Sequence, residues 1–302
     1  MTLATVPCAV CGSRRFSLAY PATIADPAAD PAAFYSSSRV RAGHLDIVRC
    51  SDCGLLFTNP RDDDATLARV YAGLQDAVYD FEEENRRRTA RAFFARVHYF
   101  HPQPARLLDI GCASGLFVDV AAQSGWRVTG LEASGWAVNQ AQQRAPQATF
   151  VTGMLEDVSF PAASFEVITL WDVLEHVRSP RETLLRVSDW LTPAGWLFFN
   201  LPDADSRMAH WLGKRWVLLL REHLWYFSPV TLARLLQACG LDLIQIRPNY
   251  VHFSLANVLG RLAQYPGLAG RAARRLRRWR LMQQWNVRFP MGEMNVAVRR
   301  HV

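Results

Sequence analysis

The chain has 302 residues, half of them apolar, enough for one sizeable core with a small module beside it. Its formal net charge is +7 and it carries six cysteines. No apolar run reaches the roughly 18 residues of a membrane-spanning helix, and Met1–Pro7 lacks the basic and apolar regions of a secretory leader, so a cytoplasmic chain whose thiols bind metal is expected.

The first element is marked by Cys8-Ala9-Val10-Cys11-Gly12 and Cys50-Ser51-Asp52-Cys53-Gly54. A Cys-x-x-Cys spacing lets two thiolates face one ion, and the following Gly relieves the tight turn. Cys8, Cys11, Cys50 and Cys53 are therefore expected to hold one structural Zn2+ in a closed four-sulfur site, with disulfides or unligated thiols as the rival readings. The 38 residues between the pairs include an Ala/Pro-rich loop. Residues 1–60 are expected to form this module and 61–104 a helical linker or cap, with Asp64 as a helix N-cap. Residues 105–302 form the main domain.

That domain opens on Arg106-Leu107-Leu108-Asp109-Ile110-Gly111-Cys112-Ala113-Ser114-Gly115. An apolar run ending in an acid, then small residues at every second position, predicts a buried strand, a tight turn and a helix start. Glycine lets a ligand approach the backbone, and helix-start N–H groups attract ligand oxygens, so Asp109, Gly111, Ala113 and Gly115 are candidate cofactor residues. Strand two, Arg127–Leu131, ends at Glu132. The 21 residues from Gly111 suit an acid that accepts from ribose hydroxyls. Strand three is expected near Thr149–Thr152, strand four after Phe165, a helix over Pro180–Trp190 and strand five over Trp196–Leu201. Ser228-Pro229 starts a further helix. Leu241–Arg247 and Met294–Arg299 are expected as strands six and seven. Periodicity alone supports a doubly wound α/β sheet.

The segments Phe160-Pro161-Ala162-Ala163-Ser164-Phe165-Glu166-Val167-Ile168, Trp171-Asp172-Val173-Leu174-Glu175-His176-Val177 and Glu222-His223-Leu224-Trp225-Tyr226-Phe227-Ser228-Pro229 carry a more specific likeness. With the Asp-x-Gly-x-Ala-x-Gly turn, they resemble class I S-adenosylmethionine methyltransferases, in the branch of ubiquinone-type O-methyltransferases and their zinc-bearing relatives. The resemblance implies a seven-stranded Rossmann-like sheet and S-adenosylmethionine as cofactor. It places Met154 and Leu155 near the adenine, where Met154 replaces the family's usual acid, and adds Leu170 to the cofactor set. The Asp/Asn-Pro-Pro-aromatic tetrapeptide of N-methyltransferases is absent after strand four, so oxygen, or else carbon, is the expected acceptor atom.

Asp172, Glu175 and His176 have i, i+3, i+4 spacing, which on a helix shares one face. Three readings stand open. His176 acts as a general base, or the trio braces a helix start, or it holds Mg2+ or Mn2+ as the Glu-x-x-Glu-His arrangement of some relatives does, joined by His223. The expected acceptor is a small molecule, a sugar or a lipid-linked intermediate. RNA methylation beside a zinc module and a non-catalytic binding protein on the same fold are the alternatives.

The basicity is local. Between Leu243 and Gly292 lie nine Arg and no Asp, Glu or Lys. Within this insertion, near 252–290, Leu268, Ala272, Leu276, Trp279 and Met282 form one stripe flanked by Arg. Three partners are weighed for it: the core, an anionic membrane surface that would make the protein peripheral there, and nucleic acid.

Overall fold

Seven apolar stretches pair into one sheet: β1 (Arg106–Ile110), β2 (Arg127–Glu132), β3 (Thr149–Thr152), β4 (Phe165–Trp171), β5 (Leu191–Pro202), β6 (Leu241–Pro248) and β7 (Glu293–Arg300). Their spatial order is β6-β7-β5-β4-β1-β2-β3. β1 to β5 pair in parallel, and β7 runs antiparallel to both β5 and β6. This is the seven-stranded, doubly wound α/β class. The computed structural model describes residues 3–24, 26, 34, 43–73, 83–263, 267–276 and 285–301.

The period-two alternation of the strands divides the core into two layers. Leu107, Val167, Phe198 and Ala297 pack under the helices Glu83–Phe100 and Leu116–Gln123. Leu108, Ile168, Leu197 and Val298 face the opposite layer with Pro180–Trp190 and Pro229–Gln237. The second of these helices starts on a capping box between Ser228 and Thr231, with Pro229 at its first position.

Two expected boundaries shift. β5 begins at Leu191 rather than Trp196: Leu191 pairs with Phe165 and Trp196 with Val167, so the Thr192–Gly195 stretch bulges out of the ladder. The N-cap of the helix Asp64–Ala72 is Asp63, whose side chain accepts from the Thr66 N–H at 2.8 Å, and not Asp64. Asp63 has extended backbone, the geometry a cap requires, while Asp64 already lies in the first turn.

The cysteine module folds as a four-stranded sheet in the order Trp225–Tyr226, Leu56–Thr58, Ile47–Cys50, Phe16–Tyr20. Its edge strand thus comes from the segment after β5, far along the chain. The insertion after β6 is a hairpin, Val251–Ser254 with Asn286–Phe289, enclosing the helices Leu255–Leu262 and Leu268–Leu276. In the second helix Ala273 is buried while Leu268, Ala272 and Leu276 are exposed, so the described part of the stripe does not pack on the core. Trp279 and Met282 lie outside the described residues.

Candidate active site

The turn after β1 leaves the sheet at its carboxyl edge. Gly111 (φ 70°), Ala113 (φ 47°) and Gly115 (φ 78°) are all left-handed. The sequence suggested that these glycines make room for a ligand. In the structure Gly111 and Gly115 also clear the chain's own side chains. A Cβ on Gly111 would stand 2.5 Å from Val173 Cγ2, and one on Gly115 2.9 Å from Ala141 Cβ. Ala113 keeps its left-handed backbone because its N–H donates to Glu132 Oε2 at 3.0 Å. The other Glu132 oxygen accepts from the Ser134 N–H at 2.9 Å. The carboxylate at the end of β2 is thus clamped beside the turn, and burial raises it even so.

Asp109 lies beneath the turn, wholly buried, accepting from the Thr169 hydroxyl at 2.7 Å. Burial pushes it up to about 7, and the nearby Glu132 adds to the shift. Met154 is half-buried just beyond β3, and Leu155 is buried in the core. Glu156 is paired with Arg178 at 3.1 Å, so of the acids near Met154 only Asp157 is exposed. The Leu170 side chain is fully buried in the layer facing Pro180–Trp190 and its backbone is in the ladder with Ile110 and Phe199.

Beyond β4 the chain does not form the helix that the i, i+3, i+4 spacing suggested. Asp172 is left-handed (φ 55°), and the segment continues as turns. Asn200 at the end of β5 holds it there: the Asp172 N–H donates to Asn200 Oδ1 at 3.0 Å, and Asn200 Nδ2 donates back to Asp172 Oδ1 at 2.5 Å. Asp172 keeps accessible surface. Burial raises its carboxyl against the pull of Asn200 and Arg86. Sequence reasoning passed over Asn200, whose only signal was an amide closing an apolar strand.

Glu175, His176 and His223 converge, with one ligand atom from each lying within 4.8 Å of the others. Asp172 is not in this group, so the four-residue cluster expected from sequence is a trio. The two imidazole centroids are 4.8 Å apart. His176 Nδ1 lies 2.8 Å from the Glu222 carbonyl and His223 Nδ1 2.8 Å from the Leu218 carbonyl. A carbonyl can only accept, so both Nδ1 atoms carry the proton and both Nε2 atoms present a lone pair. Burial holds His176 down to about 4; burial and the neighbouring His176 hold His223 well below its ordinary value. Burial raises Glu175 well above the carboxylate range, with Asp172 adding to it, and Glu175 Oε2 has no hydrogen-bond partner among the described residues. Two Nε2 lone pairs and the Glu175 carboxyl thus share one site. That donor set fits a divalent cation, with the Nδ1–H bonds orienting the rings.

Helix Glu83–Phe100 packs against the end of β4. Phe93 stacks on Trp171 at 4.1 Å, and Arg86 directs its charge at Asp172.

The four module sulfurs also lie within 4.8 Å of one another, with Cys8–Cys53 at 3.4 Å and Cys11–Cys50 at 3.5 Å. Zn–S bonds of about 2.3 Å imply tetrahedron edges near 3.8 Å, so the set fits zinc. Burial raises the Cys8 and Cys53 thiols, while backbone N–H groups of Cys53 and Asp52 bring Cys50 down to about 7 against its own burial. Gly12 and Gly54 are left-handed with open space around them, as the two Cys-x-x-Cys-Gly turns require. All six cysteines are free thiols.

The sequence profile of a family described as "Methyltransferase domain" matches residues 82–246, more than half of the chain. The ubiquinone biosynthesis O-methyltransferase of Paracidovorax citrulli is 28% identical over 48% of this chain and 66% of its own length. That of Burkholderia thailandensis is 25% identical over 52% of this chain and 75% of its own. The match thus spans about two thirds of these relatives. Among solved structures, a chain from the Haloferax volcanii complex of a methyltransferase activator with a methyltransferase aligns with TM-score 0.54 at 14% identity, covering 74% of this chain and 95% of that one. A Bacillus halodurans methyltransferase aligns with TM-score 0.51 at 14% identity over 70% of this chain and 100% of its own. At these identities the structures establish the fold.

Proposed function

The chain belongs to the methyltransferase-domain family with the class I S-adenosylmethionine-dependent fold, and on that premise we propose that it moves the methyl of S-adenosylmethionine to a hydroxyl oxygen of a small-molecule, sugar or lipid-linked acceptor. The observation that carries the choice of oxygen is the convergence of Glu175, His176 and His223 at the carboxyl edge of the sheet, beside the glycine turn. The relatives' names, those of O-methyltransferases, agree with it and lend nothing to RNA methylation or a non-catalytic scaffold.

Glu132 is placed to accept from the ribose hydroxyls, and Met154 and Leu155 offer apolar contact to the adenine. Mg2+ or Mn2+ held by Glu175, His176 and His223 would lower the pKa of an acceptor hydroxyl and orient it. The carbonyls of Glu222 and Leu218 keep both Nε2 lone pairs turned into the site. In the second reading the same Nε2 of His176 takes the hydroxyl proton directly.

Titration with Mn2+ followed by electron paramagnetic resonance decides between them. One site per chain, lost in His176→Ala and in His223→Ala, is expected. With phenolic and sugar acceptors, S-adenosylhomocysteine release should stop on chelation and return with Mg2+ or Mn2+. Undiminished release in chelator, with His176→Ala inactive, would leave His176 as a general base without metal.

Cys8, Cys11, Cys50 and Cys53 are assigned a structural zinc on their geometry. The helix Leu268–Leu276 is assigned to an anionic membrane surface. Leu268 is 77% and Leu276 37% exposed, Arg271, Arg274 and Arg275 flank them, and the nearby Trp285 is 64% exposed. Among the described residues no helix is long and apolar enough to cross a membrane.

A further inference from the structure

His223 belongs to the methyltransferase part of the chain, but its main chain is held by the cysteine module. The Thr58 hydroxyl, fully buried, donates to the His223 carbonyl at 2.9 Å, and the Thr58 N–H donates to the Leu224 carbonyl at 3.0 Å. From the other side the Leu224 N–H donates to the Glu175 carbonyl at 2.8 Å. The segment carrying His223 is therefore strung between Thr58 and the very turn that carries Glu175 and His176. Two residues beyond His223, Trp225 pairs with Phe57 in the module sheet and stacks on its ring at 5.7 Å. Just before it, Arg221 makes a fully buried two-pronged ion pair with Asp62 at 2.7 and 2.8 Å.

The module hairpin that supplies Thr58 is closed by the cysteines. Cys50 ends the strand Ile47–Cys50, Cys53 lies in the connecting turn, and Thr58 ends the strand that returns. Whatever fixes the four sulfurs fixes the start of the strand whose far end caps the His223 carbonyl. A serine- or threonine-sized donor is needed there, because an unbonded buried carbonyl is free to turn toward another partner and to take the imidazole with it.

We propose that Thr58 is a positioning residue for His223, and that through it the metal loading of the Cys8–Cys11–Cys50–Cys53 quartet sets the geometry of the reactive trio. The proposal rests on the divalent-ion and zinc readings above, and its test separates their failure from its own. Mn2+ affinity is measured by electron paramagnetic resonance on wild type, Thr58→Val and Thr58→Ser, each with its zinc content. Thr58→Val, which keeps the branched shape and removes the donor, should weaken Mn2+ binding by about 10–100-fold with zinc still near one per chain, the range typical of lost second-sphere hydrogen bonds. Thr58→Ser should restore it. Wild-type affinity in Thr58→Val with zinc retained would overturn the proposal.

If wild type binds no Mn2+, the divalent-ion reading fails, and positioning is read from the 15N shifts of His223, assigned with His223→Gln. A single Nδ1–H tautomer in wild type that becomes a mixture in Thr58→Val supports the proposal; an unchanged tautomer overturns it. Should Thr58→Val not fold, the same shifts are followed in wild type while a mercurial strips the zinc. They must move as the zinc leaves, and shifts that stay in place would overturn the proposal.

Discussion

Asp109 is a carboxyl group held where a charge is costly. Burial pushes it up to about 7 from 3.8. In the unfolded chain it releases its proton near pH 4, while in the folded chain it keeps it until about 7. Between those values the unfolded state binds fewer protons, so stability falls as pH rises. The contribution is complete below about pH 4 and lost above about 7, up to about 4 kcal/mol. Asp109→Asn lacks this dependence and keeps an oxygen for Thr169. The melting temperature of wild type relative to Asp109→Asn should therefore drop between pH 4 and 7.5, and a difference that does not vary with pH contradicts the assignment. Glu132 works differently, its two oxygens already held by the Ala113 and Ser134 N–H groups so that its free lone pairs are fixed in direction. Glu132→Ala should weaken S-adenosylmethionine binding by about 1.5–3 kcal/mol in calorimetry, the scale of a hydrogen bond to a charged group. Unchanged affinity removes Glu132 from the cofactor site. Both acids were legible because each ends an apolar strand; the clamps on them were not, since Thr169 and Ser134 gave no signal of their own.

At the scale of elements, the turn after β1 and the helix Gly135–Arg144 are in contact through Gly115. A Cβ there would meet Ala141 Cβ at 2.9 Å and its Cα at 3.0 Å, and backbone cannot yield as a side-chain tip can. Gly125 has the same left-handed backbone (φ 85°) with nothing within 4 Å. Gly125→Ala should cost only the left-handed conformation, about 1–2 kcal/mol. Gly115→Ala should cost about 1–3 kcal/mol more, the range for overpacking. Equilibrium urea unfolding measures both, and equal losses would mean that the helix moves aside freely. The strands after Arg106, Arg127 and Thr149 and the helix Pro180–Trp190 were readable from periodicity and caps, because those signals are local. The segment after β4 has helical spacing yet forms turns, because its conformation is imposed by Asn200, 28 residues further along.

At the scale of the molecule, arginines flank exposed apolar residues on the insertion after β6. If its helix meets anionic lipid, flotation with vesicles of phosphatidylglycerol should be lost in high salt and in the variant with Arg271, Arg274 and Arg275 replaced by Gln, whereas equal flotation of that variant rules the membrane reading out. The sequence by itself carried the doubly wound α/β class in its strand periodicity and the four module cysteines in their two Cys-x-x-Cys turns, because each of those signals is written within a few positions; the seven-stranded class and the choice of Glu175, His176 and His223 came from the family resemblance. Only the tertiary structure decided that Asp172 turns to Asn200 and leaves the trio, that Gly111 and Gly115 clear the chain's own side chains, and that the cysteine module borrows Trp225–Tyr226 as its edge strand. Those outcomes depend on hydrogen bonds and contacts between residues up to 170 positions apart, such as Leu56 and Tyr226 across the module sheet, and nothing in the local pattern of either partner specifies the other.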